Sequence, residues 1–260
     1  MPVLRLLQEL WDRTAGTQAV PPSWVIAASA AVALVTVLDA RSWHVARNMI
    51  TIVHEGGHAL VSLLTGRRLD GIRLHSDTSG VTYSRGRQTG PGVVLTSAAG
   101  YVAPPLLGLG AAWLLAAHHV TAMLWLLLVL LATTFLAIRN AYGVLAVLVA
   151  AGAVLAVSWL ASAAVQAAFG YADVWFLLVG GVRSVIELQT QRHRGHRSRG
   201  SLSDSDRLAR LTGVPGGIWV ALFLLFSVAA LILGARLLLP EALHLPHVSA
   251  LAHPTQAEPS

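Results

Sequence analysis

Long runs of apolar residues dominate the chain, and short polar segments separate them. About twenty apolar residues are needed for a helix to cross a bilayer, and six runs approach or reach that length. They lie at about 23–38, 46–66, 91–117, 120–138, 144–167 and 218–239. A seventh segment, 173–188, is interrupted by Gly180, Gly181 and Arg183, and is compatible with either a span or a re-entrant segment. The pattern predicts an all-α polytopic membrane protein with about six to seven transmembrane helices.

The polar segments between these apolar runs predict further features of the chain. In 67–90, residues typical of β-strands flank an Asp/Ser/Gly turn, which predicts a short β-hairpin at the membrane edge. Residues 1–22 are interpreted as an amphipathic lead on the membrane surface, with a frayed terminus as an equal alternative. We expect a single transmembrane domain over 23–240, with a polar insert at 189–213, followed by a disordered tail at 241–260.

Composition supports a membrane protein. Only 12% of residues are charged, 55% are hydrophobic and the mean hydropathy is +0.65, whereas soluble domains carry about 25% charged residues. The net charge of +6 suggests nucleic-acid binding, but the basic residues lie between apolar spans, so we expect none. The positive-inside rule then places the N-terminus and the segments 67–90 and 189–213 in the cytoplasm.

Candidate chemistry is concentrated in one predicted span, which contains His54-Glu55-Gly-Gly-His58. Histidines four residues apart project from one face of a helix, where two imidazoles bind a tetrahedral zinc. Glu55 is turned by about 100° from His54, so it is placed beside the metal as a general base for an activated water. With eleven histidines in the chain, the pattern arises by chance with a probability of roughly 0.01.

Such a zinc needs a third protein ligand, and the sequence limits the choice. The chain has no cysteine, and Val61 and Leu64 stand where a metzincin has Gly and His. Asp70 would lie about 18 Å further along a continuous helix. The remaining candidates are the carboxylates of Ser203-Asp204-Ser205-Asp206, which also suit a helix N-cap. We predict Asp204, with Asp206 as runner-up; more distant alternatives are Asp173, Glu187 and His196.

These motifs resemble those of the site-2 protease family of intramembrane zinc metalloproteases, in particular its small bacterial branch. The resemblance covers most of 45–240. It rests on the following segments: His54-Glu55-Gly-Gly-His58, the hairpin region 66–80, Ala99-Gly100-Tyr101, Arg139-Asn140-x-x-Gly143 and Ser203-Asp204-Ser205-Asp206. It implies that His54, His58 and Asp204 bind one Zn²⁺ per chain and that Glu55 is the base.

The expected function is therefore cleavage of a membrane-embedded protein substrate by a multi-pass protein of the bacterial plasma membrane. Asn140 and the polar insert are expected to help hydrate the site, and the oligomeric state is open. Two alternatives come from other classes. One is a non-catalytic membrane scaffold that retains the motif, and the other is a metal transporter or sensor, which would need more intramembrane ligands along a path.

Overall fold

This computed structural model describes residues 16–193 and 202–239. The helices are α1 (Ser23–Leu38), α2 (Ala40–Leu64), α3 (Pro91–Ala116), α4 (Val120–Ala137), α5 (Ala141–Leu160), α6 (Ala163–His193), α7 (Asp204–Thr212) and α8 (Gly216–Leu238). Two strands, β1 (Arg68–Leu74) and β2 (Gly80–Arg85), form the β-hairpin. Most of the predicted N-terminal lead, His196 and the predicted C-terminal tail lie outside the described residues.

The predicted fold class is confirmed. Helices α3, α4, α5, α6 and α8 are each long and apolar enough to cross a membrane. Helices α1 and α2 meet that test only as a pair, and the pair is bent by 101° at Asp39. The side chain of Asp39 accepts a hydrogen bond from the backbone N–H of Ser42 at 2.8 Å and so caps the start of α2. The described residues thus contain five candidate spans, or six if the bent pair is one span.

The bent pair connects opposite ends of the bundle. Just before α1, the backbone N–H of Gln18 donates to the carbonyl of His118 at 2.8 Å, and its side chain accepts from the N–H of Thr121 at 3.2 Å. Helix α2 ends at the other end of α3, where Thr65 packs against Gly92. Residues 16–22 therefore lie at the end of the bundle opposite to 67–90, so the predicted topology, which put 1–22 and 67–90 on one side, is wrong for these described residues. The apolar runs at 23–38 and 46–66 thus form one bent pair, and its two ends lie at opposite ends of the bundle.

Helix α6 resolves the ambiguity over 173–188. It is one helix of 31 residues, and the break between spans lies at 161–162, earlier than the predicted end near residue 167. Its two adjacent glycines allow close packing, since a Cβ on Gly180 would lie 3.0 Å from Ile50 and one on Gly181 would lie 3.2 Å from Pro105. The charge of Arg183 is accommodated because its guanidinium lies over the Trp43 ring, 4.6 Å from the centroid.

The hairpin confirms the β-structure predicted after the zinc motif. Strands β1 and β2 are antiparallel, with a bulge between Leu69 and Gly71. The outer edge of β1 is covered by the turn between α4 and α5: Ile72 pairs with Ile138, and the carbonyl of Ile72 accepts from the N–H of Arg139 at 2.9 Å. The outer edge of β2 has no strand partner within the described residues.

Candidate metal centre

Two histidines of α2 form the first part of the site. The Nε2 atoms of His54 and His58 are 3.1 Å apart. The Nδ1 of His58 lies 2.6 Å from the carbonyl oxygen of Thr96 on α3. A carbonyl only accepts, so Nδ1 carries a proton and Nε2 is the nitrogen left to bind a metal. Close approach of the two helices makes this contact possible, since a Cβ on Gly57 would lie 2.5 Å from that of Ala103.

Asp204, the first residue of α7, supplies a carboxylate to the same point. Its Oδ2 atom lies 3.1 Å from Nε2 of His54 and 3.2 Å from Nε2 of His58. Ser203 is the N-cap of α7, accepting from the N–H of Asp206 at 3.2 Å, so Asp204 is not the capping residue. Burial raises the pKa of Asp204, but the His58 and His54 rings outweigh it and hold that pKa well below its usual 3.8.

The three side chains fit a zinc ion. Their donor atoms lie within 4.8 Å of one another, and each pair is separated by only 3.1–3.2 Å. Ligands bound to tetrahedral zinc at about 2.0–2.1 Å are separated by about 3.3 Å. Two neutral imidazoles and one carboxylate are also a donor set used by catalytic zinc, in which a fourth position stays open. The arrangement is therefore suited to one zinc.

Gly100 of α3 leaves room for such an ion because it has no side chain. A Cβ there would lie 2.5 Å from both Cε1 and Nε2 of His54 and would overlap Nε2 of His58. Beside it, the Tyr101 ring meets the His54 ring edge to face, with centroids 4.7 Å apart. Tyr101 in turn stacks on Phe223 of α8 at 5.2 Å. The absence of a side chain at residue 100 thus keeps both nitrogens accessible from α3.

Glu55 is buried between α2 and the hairpin, with 4% of its surface exposed. Its Oε2 accepts a hydrogen bond from the hydroxyl of Thr82 at 2.6 Å. A Cβ on Gly80 would lie 2.7 Å from its Oε1, so β2 packs directly on the carboxylate. The hairpin therefore fixes where the predicted base points.

The other predicted residues lie elsewhere. Asn140 holds the edge of β1, because its side chain donates to the carbonyl of Leu74 at 2.6 Å and accepts from the N–H of Leu74 at 3.2 Å. Asp206 accepts from the Ser203 hydroxyl at 2.7 Å, and Asp70 pairs with Arg85 at 2.7 Å. Among the alternatives, Glu187 bonds to Trp43 at 2.6 Å.

Four residues of the site carried no role in the sequence-based prediction: Gly80, Thr82, Thr96 and Gly100. Gly80 and Thr82 could have been found from the sequence. Side chains alternate along a strand, so these two small residues of β2 lie on one face of the hairpin. Thr96 acts through its backbone carbonyl. Every residue has this group, so the residue type gives no indication of the role. Gly100 was noted within a motif, but its role depends on the crossing of α2 and α3.

Comparison with known proteins gives a match at the level of a family. No curated protein and no solved structure gives a significant match. The profile of the Peptidase M50B-like family, however, matches residues 27–234. That range contains α2 with its two histidines, the hairpin and α7 with Asp204. Since the match extends over most of the chain, this multi-pass membrane protein belongs to the peptidase M50B-like family, a site-2 protease family.

Proposed function

We propose that the protein is an intramembrane zinc metalloprotease that hydrolyses a peptide bond of a membrane-embedded protein substrate. His54, His58 and Asp204 hold one Zn²⁺ per chain, and Glu55 is the general base. The observation that carries the proposal is the convergence of the three donor atoms from α2 and α7, within 4.8 Å of one another, although Asp204 follows His58 by 146 residues. A charged group among membrane helices is costly, so its presence there indicates a function.

The side chains supply the remaining parts of a hydrolytic site. A zinc ion held by these three side chains would supply Lewis-acid chemistry to the scissile carbonyl and to a water molecule. Glu55 takes a proton from that water and passes it to the leaving amine. Thr82 restrains the Glu55 carboxylate through the 2.6 Å hydrogen bond, and Thr96 keeps His58 in the tautomer that leaves Nε2 free. The roles of Thr82 and Thr96 use hydrogen bonds that these residues already make.

The hairpin provides a place for the substrate backbone. A substrate helix must unwind before a peptide bond reaches the site, and its freed N–H and C=O groups then need partners. Strand β2 packs on Glu55, while its outer edge is unpaired among the described residues. Val81 and Tyr83 are exposed on this strand. We infer that an unwound substrate segment adds to β2 as a third strand, next to the base.

The orientation of the protein in the membrane is inferred from the distribution of its arginines. The hairpin end of the bundle carries nine arginines: Arg67, Arg68, Arg73, Arg85, Arg87, Arg139, Arg192, Arg207 and Arg210. Arg236 lies near the end of α8, at the opposite end of the bundle, and the other described arginines, Arg41, Arg47 and Arg183, lie within α2 and α6. By the positive-inside rule the hairpin end is cytoplasmic, so residues 16–22 face the other side. We propose the plasma membrane of a bacterium as its location.

Replacement of Glu55 by Gln tests the proposed activity. The amide keeps the size of the side chain but accepts no proton, so Glu55→Gln should bind about one zinc per chain and cleave nothing. His54→Ala with His58→Ala should lose the zinc as well. Membrane proteins of cells that express each variant are compared by quantitative mass spectrometry, and a substrate should accumulate uncut in both variants. If cells with Glu55→Gln match the wild type, the protein is not a protease.

A further inference from the structure

Helix α7 depends on its surroundings to present Asp204. It has nine residues, and helices shorter than about 12–15 residues are marginal by themselves in water. Its inward face carries Ser205 and Leu208, neither of which has measurable exposure. Leu208 packs with Val185 and Phe223 from the neighbouring helices. Apolar packing of this kind holds a helix in place but tolerates small rotations, so α7 needs a directional contact as well.

Arg192 of α6 supplies that directional contact. Its Nη1 donates to the hydroxyl of Ser205 at 2.7 Å and lies 3.4 Å from Oδ1 of Asp206. The guanidinium also packs on the first residue of α8, because a Cβ on Gly216 would lie 2.8 Å from its Nη2 and would overlap its Nη1. The Arg192 side chain thus contacts both α7 and α8, and it binds the two residues that directly follow Asp204.

The same helix is fixed to the histidine-bearing helix α2. Five residues before Arg192, Glu187 accepts from the indole N–H of Trp43 at 2.6 Å and pairs with Arg47 at 3.3 Å. Helix α6 is therefore bonded to α2 through Glu187 and to α7 through Arg192. The distance between the histidines and Asp204 depends on both connections. Zinc sites tolerate errors of about 0.2 Å in ligand distances, so a small movement of α7 is enough to weaken binding.

We propose that Arg192 is a positioning residue that holds Asp204 at the metal, an inference that rests on the zinc site proposed above. It acts through Ser205 and Asp206 and does not contact the donor atoms. A planar guanidinium is suited to this role because its fixed donors hold two acceptors at once. Outer partners of this kind typically change metal affinity by about 10- to 100-fold when they are removed.

The test compares Arg192→Gln with Arg207→Gln in the full-length protein in detergent. Arg207 is exposed on α7 and has no ion pair in the described structure, so the control makes the same charge change on the helix that carries Asp204. Zinc affinity is measured by competition with a chelator, and the visible spectrum of the cobalt-substituted protein reports the coordination geometry. Arg192→Gln should weaken zinc binding by about 10- to 100-fold and alter the cobalt spectrum. Arg207→Gln should stay within about twofold of the wild type.

Ser205→Ala provides a second route to the same conclusion, and it serves if Arg192→Gln does not fold. It removes the acceptor and leaves the arginine, so it should weaken zinc binding in the same direction. Combining the two changes should add little to the larger single effect. Wild-type affinity and spectrum in Arg192→Gln, or an equal loss in Arg207→Gln, would overturn the positioning role alone. Failure of the wild type itself to bind zinc would instead overturn the proposed function.

Discussion

Replacing Gly100 by Ala places a single methyl group at the candidate metal centre. The new Cβ would lie 2.5 Å from Cε1 and Nε2 of His54 and closer still to Nε2 of His58, whereas ordinary Cβ contacts begin at 3.4 Å. The rings would have to retreat by about 0.9 Å, several times the tolerance of about 0.2 Å for a zinc ligand. Residue 100 lies inside a continuous helix, so alanine does not disfavour the backbone there.

The expected cost follows from the loss of one ligand. Binding of structural zinc contributes about 10–16 kcal/mol through four ligands, so each ligand accounts for about 2.5–4 kcal/mol. Losing one weakens zinc binding by about 100- to 1000-fold. Overpacking itself destabilises a protein by about 1–3 kcal/mol, and alanine in place of glycine returns about 1 kcal/mol of that to the helix. We therefore expect Gly100→Ala to fold and to lose zinc.

Zinc content after equilibration with a chelator measures this effect, and thermal unfolding of the metal-free protein checks the fold. Gly110→Ala is the matched control, because it lies in the same helix and a Cβ there would meet nothing within 4 Å. The control should bind zinc as the wild type does. If Gly100→Ala retained wild-type zinc affinity, the metal would not lie between the two imidazoles and α3, and the site as described would be wrong.

Three further changes test other parts of the site and its orientation. Asp204→Ala should reduce zinc content strongly and Asp206→Ala should reduce it less, as measured by metal analysis; the reverse result would transfer the ligand role to Asp206. Thr82→Val removes a hydrogen bond to a carboxylate worth about 1.5–3 kcal/mol, so cleavage should slow by about 10- to 100-fold with zinc retained, and unchanged turnover would exclude a role for Thr82. With no native cysteine in the chain, Thr17→Cys should react with an impermeant reagent added to intact cells and Gln88→Cys only after lysis; the opposite pattern would reverse the topology.

Local signals were sufficient for the parts of the site that lie close together in sequence. The spacing of His54 and His58 predicts a shared helical face, and the structure shows that their Nε2 atoms meet. Asp204 was selected by elimination and by the resemblance, and the structure places its carboxylate at the two imidazoles. That it binds the metal stays a prediction. The hairpin was predictable because strand-forming residues flank a turn.

Features that depend on tertiary contacts were beyond the sequence. The bend at Asp39 joins two apolar runs into one bent pair, and the hydrogen bonds of Gln18 to His118 and Thr121 reveal the end of the bundle at which the first run begins. Arg183 made a span at 173–188 uncertain because its partners, Trp43 and Glu187, cannot be recognised in advance. A hydropathy pattern reports how a segment interacts with lipid but not which side chains neutralise its charges.

The distance in sequence between the two halves of the site sets an order of events during synthesis. Asp204 follows His58 by 146 residues, so at about 5–20 residues per second the ribosome needs about 7–30 s to extend the chain from one to the other. For that interval α2 is already available to the membrane, while the carboxylate that completes the donor set has not been made. The nascent protein therefore enters the bilayer without a complete candidate site, and the three donor atoms come together only when α7 has been translated and packed.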